Sequence, residues 1–108
     1  MRLLSRLPFV RRRPGEVSRD ESKARTLAHF RQFVSTRQGV EAYLEPPTRN
    51  DPVTVVLIAE TGEWTRRRVP DARTGRALAK ELGVPVYDVM VTGYPPRMRR
   101  WNSRNKHR

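Results

Sequence analysis

Hydrophobic and polar residues follow different periods along the chain, and each period predicts a different element. Leu27, Phe30 and Val34 recur at helical spacing, so residues from about 19 to 37 are predicted to form an amphipathic helix. The stretch from Val40 to Glu45 instead alternates residue by residue between apolar and polar side chains. Such alternation is typical of a strand with one buried face.

The next part of the chain has the pattern of a β-hairpin followed by a second helix. Val53 to Glu60 is a continuous apolar run rich in β-branched residues, which predicts a buried strand. After a Thr-Gly turn, Trp64 to Val69 returns as its partner strand. Asp71 is placed to cap a helix over about 72–82, and four valines favour a strand over about 86–92.

The resulting order, α-β-β-β-α-β followed by a tail, predicts an α+β fold. We expect a small, mostly antiparallel sheet with the helices on one face. This domain would occupy residues 16–93, between a basic N-terminal arm at 1–15 and a basic C-terminal tail at 94–108. Both arms are expected to be flexible, although the RMRRWNSR stretch of the tail also has the composition of a short helix.

Positive charge is concentrated in the two arms. Of the net charge of +12, residues 1–14 contribute +5 and residues 94–108 contribute +6, because neither segment contains an acid. Residues 15–93 therefore contribute only +1. Acid-free basic segments are typical of chains that bind polyanions. Arg greatly outnumbers Lys, which suits phosphate contacts and stacking on bases, but a GC-rich genome would produce the same bias.

Signatures of catalysis and of cofactor binding are missing from the sequence. The chain contains no Cys, which excludes disulfides, thiolate catalysis and Cys-rich zinc sites. His29 and His107 are far apart and have no companions at metal-ligand spacing, and no Gly-rich phosphate loop is present. We therefore predict no catalytic residue, cofactor or metal. No apolar run reaches the roughly 18 residues of a membrane-spanning helix, so a cytoplasmic protein without integral membrane association is expected.

The strand WTRRRV is the first candidate for nucleic-acid binding. Side chains alternate along a strand, so Trp64, Arg66 and Arg68 should share one face while Arg67 lies on the other. A Trp beside two Arg on an exposed sheet face can stack on bases and hold phosphates. The candidate binding residues of this strand are Trp64, Arg66, Arg67 and Arg68. The alternative is that this face is simply solvated.

The arms are the second candidate, because their bases can contact phosphates. The candidate binding residues there are Arg11, Arg12, Arg13, Arg97, Arg99, Arg100, Trp101 and Arg104. Trp101 adds stacking capacity if it is exposed. It could equally fold back as an aromatic of the core, and the sequence leaves both possibilities open.

The segment 76–92 supports a different interpretation, a DNA-binding helix-turn-helix domain. Gly83 would form the turn, with Ala79 and Val89 as apolar contacts between two crossing helices. Pro85 to Val91 would then be the recognition helix. Its β-branched residues disfavour a helix, and it carries no basic or amide side chain to contact base edges.

Two stretches, ETGEWTRRRVPD and ELGVPVYDVMVTGYPPRMRRWNSR, resemble a family of small, basic actinobacterial proteins of unknown function. The family pattern is a hairpin ending in GEWTRRRVP, a helix, then PxYDV and GYPxRMR. The residues that carry it here are Gly62–Pro70, Tyr87–Val89, Gly93–Pro95 and Arg97–Arg99. Members are sometimes labelled "oxidoreductase", but the resemblance implies only a shared fold and supplies no catalytic residue.

The sequence thus predicts a small, basic, non-catalytic nucleic-acid-binding protein, RNA- or ribosome-associated rather than a sequence-specific DNA reader. Three alternatives stay open: the helix-turn-helix domain, a module that docks on an acidic protein or an anionic membrane surface, and an enzyme that fits the oxidoreductase label. The sequence does not define the oligomeric state or a preferred nucleotide motif.

Overall fold

A computed structural model describes residues 19–106 of the chain. Its elements are α1 (Arg19–Thr36), β1 (Glu41–Glu45), β2 (Thr54–Ile58), β3 (Trp64–Arg68), α2 (Ala72–Leu82), β4 (Val86–Asp88), α3 (Val89–Thr92) and α4 (Pro96–Arg104). The α+β class and the predicted order of elements are confirmed. The predicted N-terminal arm at 1–15, with Arg11, Arg12 and Arg13, lies outside the described residues.

The four strands form one sheet in the order β3-β2-β1-β4. β1 and β2 pair antiparallel, as do β2 and β3, whereas β4 pairs parallel with β1. Across the middle of the sheet, Arg66, Val56, Tyr43 and Tyr87 stand opposite one another. The connection through α2 carries the chain from one edge of the sheet to the other, so β3 and β4 are the two edge strands.

α1 and α2 cover one face of the sheet. Phe30 of α1 and Leu78 of α2 are almost fully buried there against Leu44 and Leu57. Gly75 permits this close packing, because a Cβ at that position would lie 2.7 Å from the Leu44 side chain. The exclusion of water from these apolar side chains is the main source of stability for a domain of this size.

α4 packs on the opposite face of the sheet. Met98 is buried there against Tyr43, Val56 and Ile58, with Trp64 beside them. The expectation that the helices occupy one face therefore applies to α1 and α2 but not to α4. The short helix that the composition of RMRRWNSR allowed is present as α4. Because α4 contributes Met98 to a buried cluster, this part of the predicted tail is not a flexible arm.

The segment after Gly83 begins as an edge strand of the sheet and ends as a short helix. Val86–Asp88 pairs with β1, and Asp88 then caps the single helical turn of α3 by accepting from the Met90 amide. The predicted strand over 86–92 is therefore correct only for its first half. The helix-turn-helix interpretation is contradicted, because its recognition helix would have to include the residues that form β4.

No helix of residues 19–106 has both the length and the apolar composition needed to cross a bilayer.

Candidate nucleic-acid interface

The inner side of α4 is fixed to the sheet by Arg97. Its Nη2 donates to Glu41 Oε1 at 2.7 Å, and its Nε donates to the Ala59 carbonyl oxygen at 2.8 Å. Desolvation alone would raise the pKa of Glu41, but the hydrogen bonds from Arg97 and Tyr43 outweigh it, so that the pKa is lowered. Arg97, predicted to bind nucleic acid, therefore has a structural role in holding α4 in place.

The loop between β2 and β3 closes against the same side of α4. Gly62 is buried with φ +95°, and a Cβ there would lie 2.8 Å from the Arg97 carbonyl carbon and nearer still to its oxygen. The same Cβ would lie 2.9 Å from Trp101 Cβ. Trp101 is half-buried at this contact, which supports the fold-back interpretation over a fully exposed stacking residue.

The outer side of α4 presents basic side chains to solvent. Residues one and two places beyond buried Met98 turn away from the sheet, and Arg99 and Arg100 are both exposed. Arg104 is also exposed; its Nη2 donates to the Thr61 carbonyl oxygen at 3.3 Å, and its guanidinium lies 5.8 Å from the Trp101 ring centroid. With exposed Lys106, these bases form what we call the α4 basic face: Arg99, Arg100, Arg104 and Lys106.

The three β3 residues predicted to share a face do so, but two of them are engaged within the protein. Arg66 donates to both carboxylate oxygens of Glu45, at 2.7 and 2.8 Å, while its guanidinium stands 4.9 Å from the Trp64 ring centroid. Trp64 Nε1 donates to Asn102 Oδ1 at 2.7 Å. The Trp–Arg pair predicted to receive a base is thus occupied by its own neighbours. Arg68 is more open: Asp51 contacts its Nε at 3.0 Å, but its side chain is 73% exposed.

Glu45 is the centre of a small polar cluster on the same face. In addition to Arg66, it accepts hydrogen bonds from the hydroxyls of Thr54 and Tyr94. Desolvation raises the pKa of Glu45, but the hydrogen bonds from Arg66, Thr54 and Tyr94 together lower it below its ordinary value. Through Tyr94, this cluster holds the start of the segment that was predicted to be a tail against the sheet.

Arg67 lies on the other face of β3, as the alternation predicted, and contacts α1. Its Nη2 is 3.2 Å from His29 Nδ1, and His29 Nε2 is 2.6 Å from Thr65 Oγ1. Because a guanidinium can only donate, His29 Nδ1 accepts and Nε2 carries the proton. Burial, together with the charges of Arg67 and Arg37, lowers the pKa of His29 and favours this neutral form.

Ion pairing separates the basic residues into two groups. The Arg–carboxylate pairs of residues 21–106 are Arg31–Glu81, Arg37–Glu63, Arg66–Glu45, Arg68–Asp51 and Arg97–Glu41. The α4 basic face has no carboxylate partner among the described residues. Sequence reasoning missed a second basic stripe on α2, formed by Arg73, Arg76 and Lys80, which also lacks a carboxylate partner within residues 21–106. Their spacing of three and four residues indicates one helix face.

Searches against protein-family models, curated proteins and solved structures found no match to this chain. The resemblance to small, basic actinobacterial proteins therefore stays a prediction. Within residues 19–106, no three His, Asp or Glu side chains are grouped in a way that could hold a metal ion.

Proposed function

We propose that this protein is a non-catalytic nucleic-acid-binding protein that contacts phosphates through the α4 basic face, with RNA as the favoured partner. One observation carries the proposal. Arg99, Arg100 and Arg104 are exposed on a helix that is itself fixed to the sheet, and they have no carboxylate partner in the described chain. Guanidinium groups presented in this way suit bidentate contact with phosphate oxygens.

The fixed helix gives these bases an advantage over a flexible tail. A disordered basic segment loses backbone entropy when it binds, at a cost of roughly 1–2 kcal/mol for each residue that becomes ordered. Burial of Met98 and the Arg97–Glu41 pair order the backbone of α4 before any ligand arrives. More of the phosphate-contact energy is then available for affinity.

RNA is favoured because the α4 basic face suits contacts with the phosphates of a single strand. Val86–Asp88 is a strand of the sheet, so Pro85 to Val91 does not form a DNA recognition helix. Single-stranded RNA is recognised through its phosphates and its unstacked bases, and exposed arginines can contact those phosphates. The same proposal includes ribosomal RNA as a partner and the cytoplasm as the location of the protein. It also includes further phosphate contacts from Arg11, Arg12 and Arg13.

Fluorescence anisotropy with a mixed-sequence RNA, titrated at several salt concentrations, tests the proposal. If the four bases of the α4 basic face each contact a phosphate, log K should fall with log salt at a slope of about −3 for a single strand. The double variant R99A/R100A should lose more than about tenfold in affinity at low salt, and its slope should become shallower by about 1.4.

The matched control is R73A/R76A, which removes the same charge from the exposed face of another helix. It should keep most of the affinity. An equal loss in both variants would mean that net charge, and not the α4 basic face, drives binding. Absence of RNA binding at low salt would refute the proposal, and binding to anionic vesicles in its place would favour the membrane-surface alternative.

A further inference from the structure

A cavity of about 440 Å³ lies where the first half of α1, the end of β3 and the start of α2 meet. Buried Val69 and Leu78 form its floor, and Pro52 and Pro70 extend the apolar wall. Its volume falls within the range of small-molecule sites, which are typically apolar with a few fixed polar groups. None of the contacts described for the α4 basic face involves this cavity.

The rest of the cavity lining is polar and mostly basic. It consists of Ser22, Lys23, Thr26, Arg68, Asp71 and Thr74, of which two are basic and one is acidic. A second hollow of about 420 Å³ shares Ser22, Thr26 and Arg68 with the first and adds Arg67. Hydroxyl donors beside ammonium and guanidinium groups are the usual partners of phosphate oxygens.

Asp71, which lines the cavity, and Asp51, which lines the second hollow, both have partners. Asp51 Oδ1 lies 3.0 Å from Arg68 Nε, and the Arg68 side chain is 73% exposed. Asp71 accepts from the Thr74 amide as the cap of α2. Lys23 is exposed and has no carboxylate partner among the described residues. The polar wall therefore keeps cationic groups available for a ligand.

We infer that this cavity receives one nucleotide of the bound strand, with its base on the apolar floor and its phosphate at Lys23 and Arg68. The inference rests on the proposed function. An apolar surface next to cationic donors matches a nucleotide, which joins a flat heteroaromatic ring to a phosphate; unstacked RNA bases are recognised in this manner. β3 connects the two surfaces, because Trp64 contacts α4 and Val69 lines the cavity, roughly 16 Å further along the strand.

Amide chemical shifts of the full chain, titrated with adenosine or uridine 5′-monophosphate to roughly 10 mM, test the cavity directly. The nucleotides should shift the amides of Thr26, Val69 and Thr74. Inorganic phosphate alone should shift Lys23 and Arg68 more weakly, and the free nucleosides should act weakly on Val69. Nucleotide shifts confined to α4, or none at all, would overturn the inference.

The second part of the test is a variant in which a bulky side chain blocks the cavity. Ser22→Trp places an indole at the polar wall from an exposed position of α1, and Ala28→Trp places the same indole on α1 at an exposed position that does not line the cavity. Ser22→Trp should abolish the nucleotide shifts and weaken RNA binding about five- to tenfold without changing the salt slope, whereas Ala28→Trp should do neither. Lys23→Ala, with Lys80→Ala as its control, repeats the comparison without adding bulk.

The results separate the two proposals. If RNA binds through α4 but Ser22→Trp and Ala28→Trp behave alike, the cavity inference fails and the proposed function stands. If RNA does not bind at all, the proposed function fails and the mononucleotide titration alone decides whether the cavity takes a nucleotide.

Discussion

Substitution of Gly62 by Ala should push α4 away from the sheet, because the added methyl group has no room between the β2–β3 loop and the helix. Its φ of +95° lies in the region that favours glycine, and its missing side chain is what allows the loop to touch the α4 backbone. The Cβ of an alanine would lie 2.8 Å from the Arg97 carbonyl carbon and 2.9 Å from Trp101 Cβ. The Arg97 carbonyl belongs to the helix backbone, so relief requires α4 or the loop to move.

The expected loss of stability for Gly62→Ala has two parts. Placing a residue with a Cβ at positive φ costs about 1–2 kcal/mol. Moving α4 outward exposes Met98, which is now 6% exposed, and loss of its burial costs about 2 kcal/mol. We therefore expect the free energy of unfolding to fall by about 3–4 kcal/mol, a large share of the stability of a small domain.

Gly83→Ala is the matched control. Gly83 also has positive φ, +75°, but a Cβ there would meet no atom within 4 Å. This variant should show the backbone cost alone, about 1 kcal/mol after allowance for the stiffer unfolded chain. The difference between the two variants then measures how tightly α4 is held.

Urea unfolding of both variants, followed by far-UV circular dichroism, gives the two free energies. Amide hydrogen exchange reports α4 separately: in Gly62→Ala its protection should collapse while that of β2 is retained. If Gly62→Ala costs no more than Gly83→Ala and α4 stays protected, the close contact does not hold the helix. The explanation of the α4 basic face as a rigid surface would then be wrong.

Two further predictions concern pH. Glu45→Gln removes the charge that holds Arg66 and should cost about 1–2 kcal/mol at neutral pH. Because the folded-state pKa of Glu45 is lowered from 4.5, this contribution is present above that value and is lost as the pH falls through the folded-state pKa, so the variant and the wild type should converge in urea titrations well below pH 4.5. His29 has a lowered pKa, so wild-type stability should fall as the pH drops below 6.5, where the unfolded chain takes up a proton first. His29→Gln should lack that decline; a variant with the wild-type pH profile would show that burial and the neighbouring arginines do not lower the pKa of His29 in the folded protein.

The elements of the sheet and the α1/α2 layer could be predicted because their signals are local. Asp71 and Gly83 mark both ends of α2, and the structure has the predicted cap and a left-handed residue at these positions. Strand alternation likewise assigned Trp64, Arg66 and Arg68 to one face. Capping and alternation depend only on residues adjacent in sequence, so no tertiary information was needed.

The docking of α4 could not be predicted because its partners are distant in sequence. Met98 contacts Tyr43 and Val56, and a lone Met among arginines gives no helical stripe from which burial can be inferred. Contacts with residues distant in sequence also decide whether the predicted Trp64–Arg66 site is free to bind a base. The Trp64 ring donates to Asn102 and the Arg66 guanidinium donates to Glu45. A single sequence gives no means of predicting either pair.

The acids that make residues 15–93 nearly neutral also decide which arginines form internal ion pairs. Alternation along β1 turns Glu41 and Glu45 toward the face that α4 covers, and these carboxylates select particular arginines as internal partners. Arg97 is held by Glu41, whereas Arg99, two residues later in the same basic run, is exposed and pairs with no acid of the described residues. The sheet therefore divides one run of arginines into residues that fix the helix and residues that stay available for phosphate. If that division is correct, affinity for RNA should follow which arginine is removed rather than how many remain.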